Sequence, residues 1–242
     1  MFTQSDYHKT CERVPSASLL TELANWLYPR VFRHDFQMPG AALISFDVEI
    51  SSAQLRRTMV DLKENLSDIY HKTTGDHLVY LSVGRFNQQA TTKFHLDGAP
   101  DQAFLMLGYE PTIVASELSI ADYTRAAHDW NISPKELLSD FNPMYLANEQ
   151  RLLPYATKLQ GFEPSHAHIM LVNNSALPFS DGGENTLGVM HQATVPHAIP
   201  NASRTVNSTM ISGADAENES PVSDATRQWF LETQEITSYK MA

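Results

Sequence analysis

The sequence predicts an α+β protein in which helices flank an antiparallel β core. Three observations carry that reading. Short runs rich in β-branched and aromatic residues follow one another through residues 77–116 with only turn-length gaps, which is the pattern of a meander. Two longer segments, 16–28 and 51–75, repeat apolar residues every three or four positions, as helices with one buried face do. β-type segments then return after residue 166, so strands from both halves of the chain are expected to share one core.

Taken in order, "SASLLTELANWLY" (16–28) is a helix behind a serine that can cap it, closed by Pro29. "GAALISFDVEI" (40–50) is short, apolar and β-branched, hence a strand. "SSAQLRRTMVDLKENLSDIYHKTTG" (51–75) opens on serines and stops at Gly75, the two ends a long helix requires. Strands are expected at 77–86, 91–97, 102–109 and 112–116. A helical insert, about 119–160, then interrupts them. "SIADYTRAAHDW" (119–130) and "SPKELLSDFNPMYLANEQRLLPYATKLQ" (133–160) both begin at caps, and Pro143 and Pro154 break the second. Strands resume with "AHIMLVNNS" (167–175), "NTLGVMHQATVPHAI" (185–199) and "RTVNSTMIS" (204–212). "GADAENESPVSD" reads as a surface loop and "ATRQWFLETQEI" as a closing helix. There is no internal repeat and no low-complexity linker. Residues 1–242 are therefore read as a single domain, with a β core over about 40–212 and the terminal helices packed outside.

Composition narrows the function classes. Lys and Arg number 17 against 28 Asp and Glu, a formal charge of −11 that argues against nucleic acid and against anionic membrane surfaces as partners. One cysteine, Cys11, permits neither an intrachain disulfide nor a thiolate metal cluster. "MFTQSDYHKTCERVPS" lacks the apolar region of a secretory signal, and no run approaches the roughly 20 apolar residues of a membrane span. The expectation is a cytoplasmic protein.

The chemistry begins at "KFHLDGAP" (93–100). On a strand, side chains at i and i+2 share a face, so His95 and Asp97 bring an imidazole nitrogen and a carboxylate oxygen together. Gly98 and Pro100 end the run as a turn does. Two ligands do not make a metal site, and the third must come from elsewhere. Of the ten histidines, His8, His34, His71 and His128 fall in termini, loops or exposed helix faces. His166 and His168 repeat the i, i+2 spacing and are read as a solvated strand end. His191 and His197 lie in a late strand region, and Arg204 follows across the "IPNAS" turn.

With a His-x-Asp on an early strand, a distal histidine about a hundred residues on and an arginine on the next strand, the chain resembles the Fe(II)- and 2-oxoglutarate-dependent oxygenases. The resemblance covers roughly residues 79–212. It implies a double-stranded β-helix, a jelly-roll barrel with helices outside, and a facial triad of two histidines and one carboxylate around non-haem iron. On this mapping "FHLDG" supplies His95 and Asp97, and "NTLGVMHQATVPH" supplies His197 as the third ligand, with His191 as the alternative. Arg204 then pairs with the far carboxylate of 2-oxoglutarate. The family often has a serine two residues after that arginine. Val206 stands there in this chain, and Ser208, on the same strand face as Arg204, is expected to substitute.

The implied activity is O₂- and 2-oxoglutarate-dependent hydroxylation of a small-molecule or amino-acid-like substrate. Two other readings compete with it. One is a cupin-type metalloenzyme, an isomerase or dioxygenase, that does not use 2-oxoglutarate. The other is a non-catalytic jelly-roll binding module in which His95 and Asp97 are merely polar neighbours. Arg85, Asn87, Tyr109 and Asn173 are possible substrate contacts that read equally as ordinary polar residues on strands. The insert at 119–160 is the expected lid.

Overall fold

A computed structural model of the chain describes residues 2–140, 146–214 and 220–238. The expected break at Pro143 and the centre of the acidic loop, 215–219, lie outside them. The chain begins with a one-turn helix, α1 (Gln4–Tyr7), and a strand, β1 (His8–Cys11). In α2 (Ala17–Val31) the Ser16 side chain accepts from the Leu19 amide, and Leu20, Leu23, Ala24, Leu27 and Val31 form the buried stripe. Pro29 sits inside the last turn of α2 instead of ending it. Every residue of β2 (Ala41–Phe46) is buried. The 23-residue helix α3 (Ser52–Thr74) starts at a reciprocal capping box between Ser51 and Gln54. It ends at Gly75, whose φ of 89° is the left-handed cap glycine adopts without penalty.

Three strands follow, β3 (His77–Asn87), β4 (Phe104–Tyr109) and β5 (Glu117–Ala121). Helices α4 (Tyr123–Asp129), α5 (Pro134–Asp140) and α6 (Leu146–Leu152) lead through a short 3₁₀ turn to β6 (Ala156–Lys158). The chain continues with β7 (Ala167–Asn173), β8 (Met190–Thr194), β9 (Thr205–Ala214), α7 (Asp224–Glu232) and β10 (Thr237–Ser238).

These strands make two sheets, one of seven strands in the order β1-β2-β7-β4-β9-β3-β10 and one of three in the order β6-β5-β8. Every pairing among β2, β7, β4, β9 and β3 is antiparallel, and the short edge strands β1 and β10 join in parallel. The outer face of the large sheet, with Ile44, Phe104, Met106, Leu171 and Ile211, packs under α2 and α3. Its inner face, with Leu43, Leu105, Leu107, Val172 and Val206, meets Leu118, Ile120 and Ala193 of the small sheet. The architecture is α+β, a double-stranded β-helix with helices outside. Central strands such as β4 are buried on both faces, which is why they read as unbroken apolar runs.

Two expected strands change. The chain bends at 112–116, and β5 begins at Glu117, where a helix was expected to start soon after. Leu118 and Ile120 fill the barrel from β5, a period-two demand that overrides the helical pattern until Asp122 caps α4. Residues 91–97 form no ladder, and His95 makes only an isolated bridge to His191. There the Thr91 and Thr92 hydroxyls accept from the Val195 and Ala193 amides in place of backbone carbonyls. Among the described residues no helix is long and apolar enough to cross a membrane.

His168, expected at a solvated strand end, is fully buried in β7. Its Nδ1 lies 2.9 Å from Ser45 Oγ, and its Nε2 lies 2.7 Å from the Glu163 carbonyl oxygen. The Glu163 amide also approaches Nε2, at 3.2 Å, and the Ser45 hydroxyl also reaches the Gly161 carbonyl, at 3.1 Å. Ser45 Oγ in turn sits 2.8 Å from His8 Nε2. Burial pushes the His168 ring from its ordinary 6.5 down to about 4, the bond to the Glu163 backbone opposes this, and His166 and His8 add to it. The folded-state pKa is depressed, so its contribution is complete above about pH 6.5 and is lost as pH falls toward 4. Up to about 1.4 kcal/mol per pH unit, roughly 3 kcal/mol in all, disappears over that window. Urea unfolding of wild type and His168→Gln across that range checks this. The variant is expected to show a shallower pH slope, and an identical slope would refute the assignment.

Candidate metal centre

β8 builds the site by alternation. Val189, His191, Ala193 and Val195 are buried while Gln192 and Thr194 are half-buried, so His191 belongs to the inward series. Facing it, His95 exchanges both backbone hydrogen bonds with His191, at 3.1 Å each way. Residues paired in this manner present their side chains on the same face. The two imidazole centroids lie 4.2 Å apart at 44°. Asp97 places Oδ1 at 3.4 Å from His95 Nε2. One ligand atom from each of His95, Asp97 and His191 falls within 4.8 Å of the other two.

The supports behind these groups are specific. His95 Nδ1 is 2.7 Å from the Lys93 carbonyl oxygen, so it keeps its proton there and leaves the Nε2 lone pair facing Asp97. Asn174 clasps the Asp97 backbone, its Oδ1 accepting from the amide at 3.0 Å and its Nδ2 donating to the carbonyl at 2.9 Å. His191 Nδ1 is buried and has no hydrogen-bond partner. Leaving such an atom unsatisfied costs about 1–3 kcal/mol.

Burial pushes the His191 ring down to about 4, the His95 ring adds to this, and Asp97 opposes it. For His95 burial also works downward, but the hydrogen bonds to Asp97 and the Lys93 carbonyl outweigh it and the net shift is upward. Burial raises the Asp97 carboxyl, yet the His95 hydrogen bond and the two imidazoles hold it below the ordinary carboxylate value. The site offers a carboxylate, a neutral His191 and the Nε2 of His95. That donor set, with a buried nitrogen lacking a partner, fits a borderline divalent metal such as iron.

Inside the cluster lies a cavity of about 30 Å³, walled by Phe86, Gln88, Thr92, Leu107, Tyr109 and Val206. Arg204 stands behind two of these walls. Its Cζ is 5.0 Å from the Tyr109 ring centre, and its Nη1 donates to Gln88 Oε1 at 2.8 Å. Nε donates to Ser116 Oγ at 2.9 Å, and Nη2 is buried without a partner. Arg204 is only 1% exposed, and among the described residues no carboxylate pairs with it. Burial lowers the guanidinium's pKa and raises the Tyr109 phenol to about 12, so the phenol stays neutral.

The structure thus brings together His95, Asp97 and His191, and not His197. His197 follows Pro196 in the exposed loop beyond β8, where the missing proline amide ends the pairing. Ser208 lies on β9 opposite Gly84 and Leu107, roughly 13 Å along the strand from Arg204, and is not among the cavity walls. Ser116 supplies the hydroxyl at Arg204 instead. Of the possible substrate contacts, Tyr109 alone reaches the cavity. Arg85 is spent on Glu110 at 3.0 and 3.1 Å, Asn173 donates to the Val31 carbonyl, and Asn87 accepts the Arg204 amide. Sequence reasoning missed Gln88, Ser116 and Asn174. "VNNS" at the end of β7 was a signal for the last, since Asn side chains at strand ends bind backbone groups.

No family model matches the chain, and no curated protein matches its sequence. Among solved structures, a variant of an iron and alpha-ketoglutarate-dependent endoperoxidase is similar over 77% of this chain and 81% of that chain. The identity is 12% and the TM-score 0.37.

Proposed function

We propose that the chain is a non-haem Fe(II)- and 2-oxoglutarate-dependent oxygenase acting on a small molecule. His95, Asp97 and His191 hold the metal, and Arg204 anchors the cosubstrate. One observation carries this reading: a three-donor cluster lines a cavity whose Tyr109 and Gln88 walls are backed by a buried arginine without a carboxylate partner among the described residues. Two imidazoles and one carboxylate leave coordination positions open for a 2-oxo acid and O₂. A buried guanidinium with a free Nη2 is matched by the second carboxylate of a dicarboxylate. Bound iron supplies O₂ activation coupled to decarboxylation of the 2-oxo acid.

The chain's own residues do the rest. The Lys93 carbonyl keeps the His95 tautomer, and Asn174 fixes the peptide that carries Asp97. The neutral Tyr109 ring covers the guanidinium and excludes water from it. Gln88 Oε1 occupies the place on Arg204 that a carboxylate oxygen would take. A cavity of about 30 Å³ admits a group of water size, so Gln88 must turn aside when the cosubstrate binds. A cupin-type enzyme without 2-oxoglutarate would leave the Arg204 charge buried with no anion to offset its desolvation.

Anaerobic titration with Fe(II) and 2-oxoglutarate, followed by the visible charge-transfer band of the chelate, tests the reading. His191→Ala is expected to lose the metal and His197→Ala to keep it. The opposite outcome moves the distal ligand to His197. If iron binds and no 2-oxoglutarate chelate forms, the oxygenase reading falls and the cupin-type reading replaces it.

A further inference from the structure

The metal cluster also borders a second, wider space, a groove of about 340 Å³ that shares the His95 and Asp97 walls with the inner cavity. That volume is at the small end of ligand sites, which suits a ring system rather than a long chain. The side chains that give the groove its character are Phe94, Leu96, Pro100, Leu138, Ala176 and Met190. Among the described lining residues His95 and Asp97 are the only titratable ones, and both belong to the metal cluster. Asn174 contributes an amide, but both ends of it are committed to the Asp97 backbone. Lys93 and Asp101 flank the lining run 94–100 in sequence, and each is closed by an ion pair, with Glu149 at 2.5 Å and Lys135 at 2.7 Å. The second of these pairs ties α5 to the loop, and the same helix turns Leu138 into the groove.

We propose that this groove receives a compact, uncharged, largely hydrocarbon substrate, an aromatic or alicyclic ring system, with Leu138 of α5 as its roof. The assignment deepens the oxygenase reading and rests on it only for the reaction that follows binding. An amino-acid-like substrate does not fit. Its ammonium and carboxylate would both be desolvated against described side chains that, apart from the metal-holding His95 and Asp97 and the committed Asn174, carry neither charge nor hydrogen-bonding group. An apolar ring loses nothing of that kind and gains the burial of its surface.

The test uses the full chain and the probe 3-methylindole, with indole-3-acetate and tryptamine as its anionic and cationic counterparts. Binding is read by calorimetry without added metal and again with Fe(II) and 2-oxoglutarate under anaerobic conditions. 3-Methylindole is expected to bind about tenfold or more tighter than either charged analogue. Leu138→Asp is expected to weaken it about tenfold or more, and Leu138→Phe to alter affinity without unfolding the half-buried position. Iron binding should be unchanged in both variants. Equal or tighter binding of a charged analogue, no binding of 3-methylindole, or indifference to both Leu138 variants overturns the proposal. Because the probe is read without metal, a missing chelate sinks the oxygenase reading alone. A chelate without probe binding sinks this one alone.

Discussion

Asp97→Ala is expected to strip the protein of metal. The carboxylate is the one anionic donor in the cluster, and without it two imidazoles must hold a dication unaided. Removing a group that merely orients a ligand costs about 10–100-fold in metal affinity, so removal of the anionic ligand itself should exceed that range. Metal analysis after dialysis should find wild type loaded and the variant empty. The fold should persist, because Asn174 holds this peptide through its amide and carbonyl and the carboxyl is 37% exposed. His95 loses the hydrogen bond that favours its protonated form, so its pKa should fall in the variant. Unchanged metal content in Asp97→Ala removes the site.

The second large effect concerns Arg204. Charged hydrogen bonds contribute about 1.5–3 kcal/mol and an unpaired buried anion costs more. Arg204→Ala should therefore weaken 2-oxoglutarate by about ten- to several-hundred-fold, at roughly 1.4 kcal/mol per decade. Iron content should stay the same. Arg204→Lys should recover part of the loss, since a point charge cannot reproduce the planar fork. Arg204 also holds Ser116 and Gln88, so Gln88→Glu is the variant that keeps this packing. It sets an internal carboxylate where Gln88 Oε1 now lies, 2.8 Å from Nη1, and should compete with the cosubstrate to a similar degree. Wild-type 2-oxoglutarate affinity in Gln88→Glu would show that Arg204 is not the anchor.

Local rules were legible in the sequence and long-range pairing was not. The ends of α3 could be read because Ser51, Gln54 and Gly75 act within a turn of their own positions. His95 and Asp97 could be paired because a two-residue spacing survives even where the strand is reduced to one bridge. The choice of His191 depended on which residue of the late segment faces His95, and pairing across about a hundred residues leaves no mark at either position. A signal was nonetheless present. Val189, His191, Ala193 and Val195 alternate inward, and Pro196 stops that series before His197. Ser116 and Gln88 were beyond reach for a different reason. They meet Arg204 from loops and strand ends whose course is set only when the two sheets close.

The two edge strands have a practical consequence. β1 and β10, of four and two residues, cover the outer ladders of β2 and β3. β2 reads "AALISF", with no charge and every residue buried. A short, uncharged, β-prone segment with an open ladder is a template for self-association. Trimming the chain through Cys11 is therefore expected to make the barrel stack through β2. Tags and fusions at that end should be joined ahead of β1 by a flexible spacer, so that its pairing with β2 is left whole.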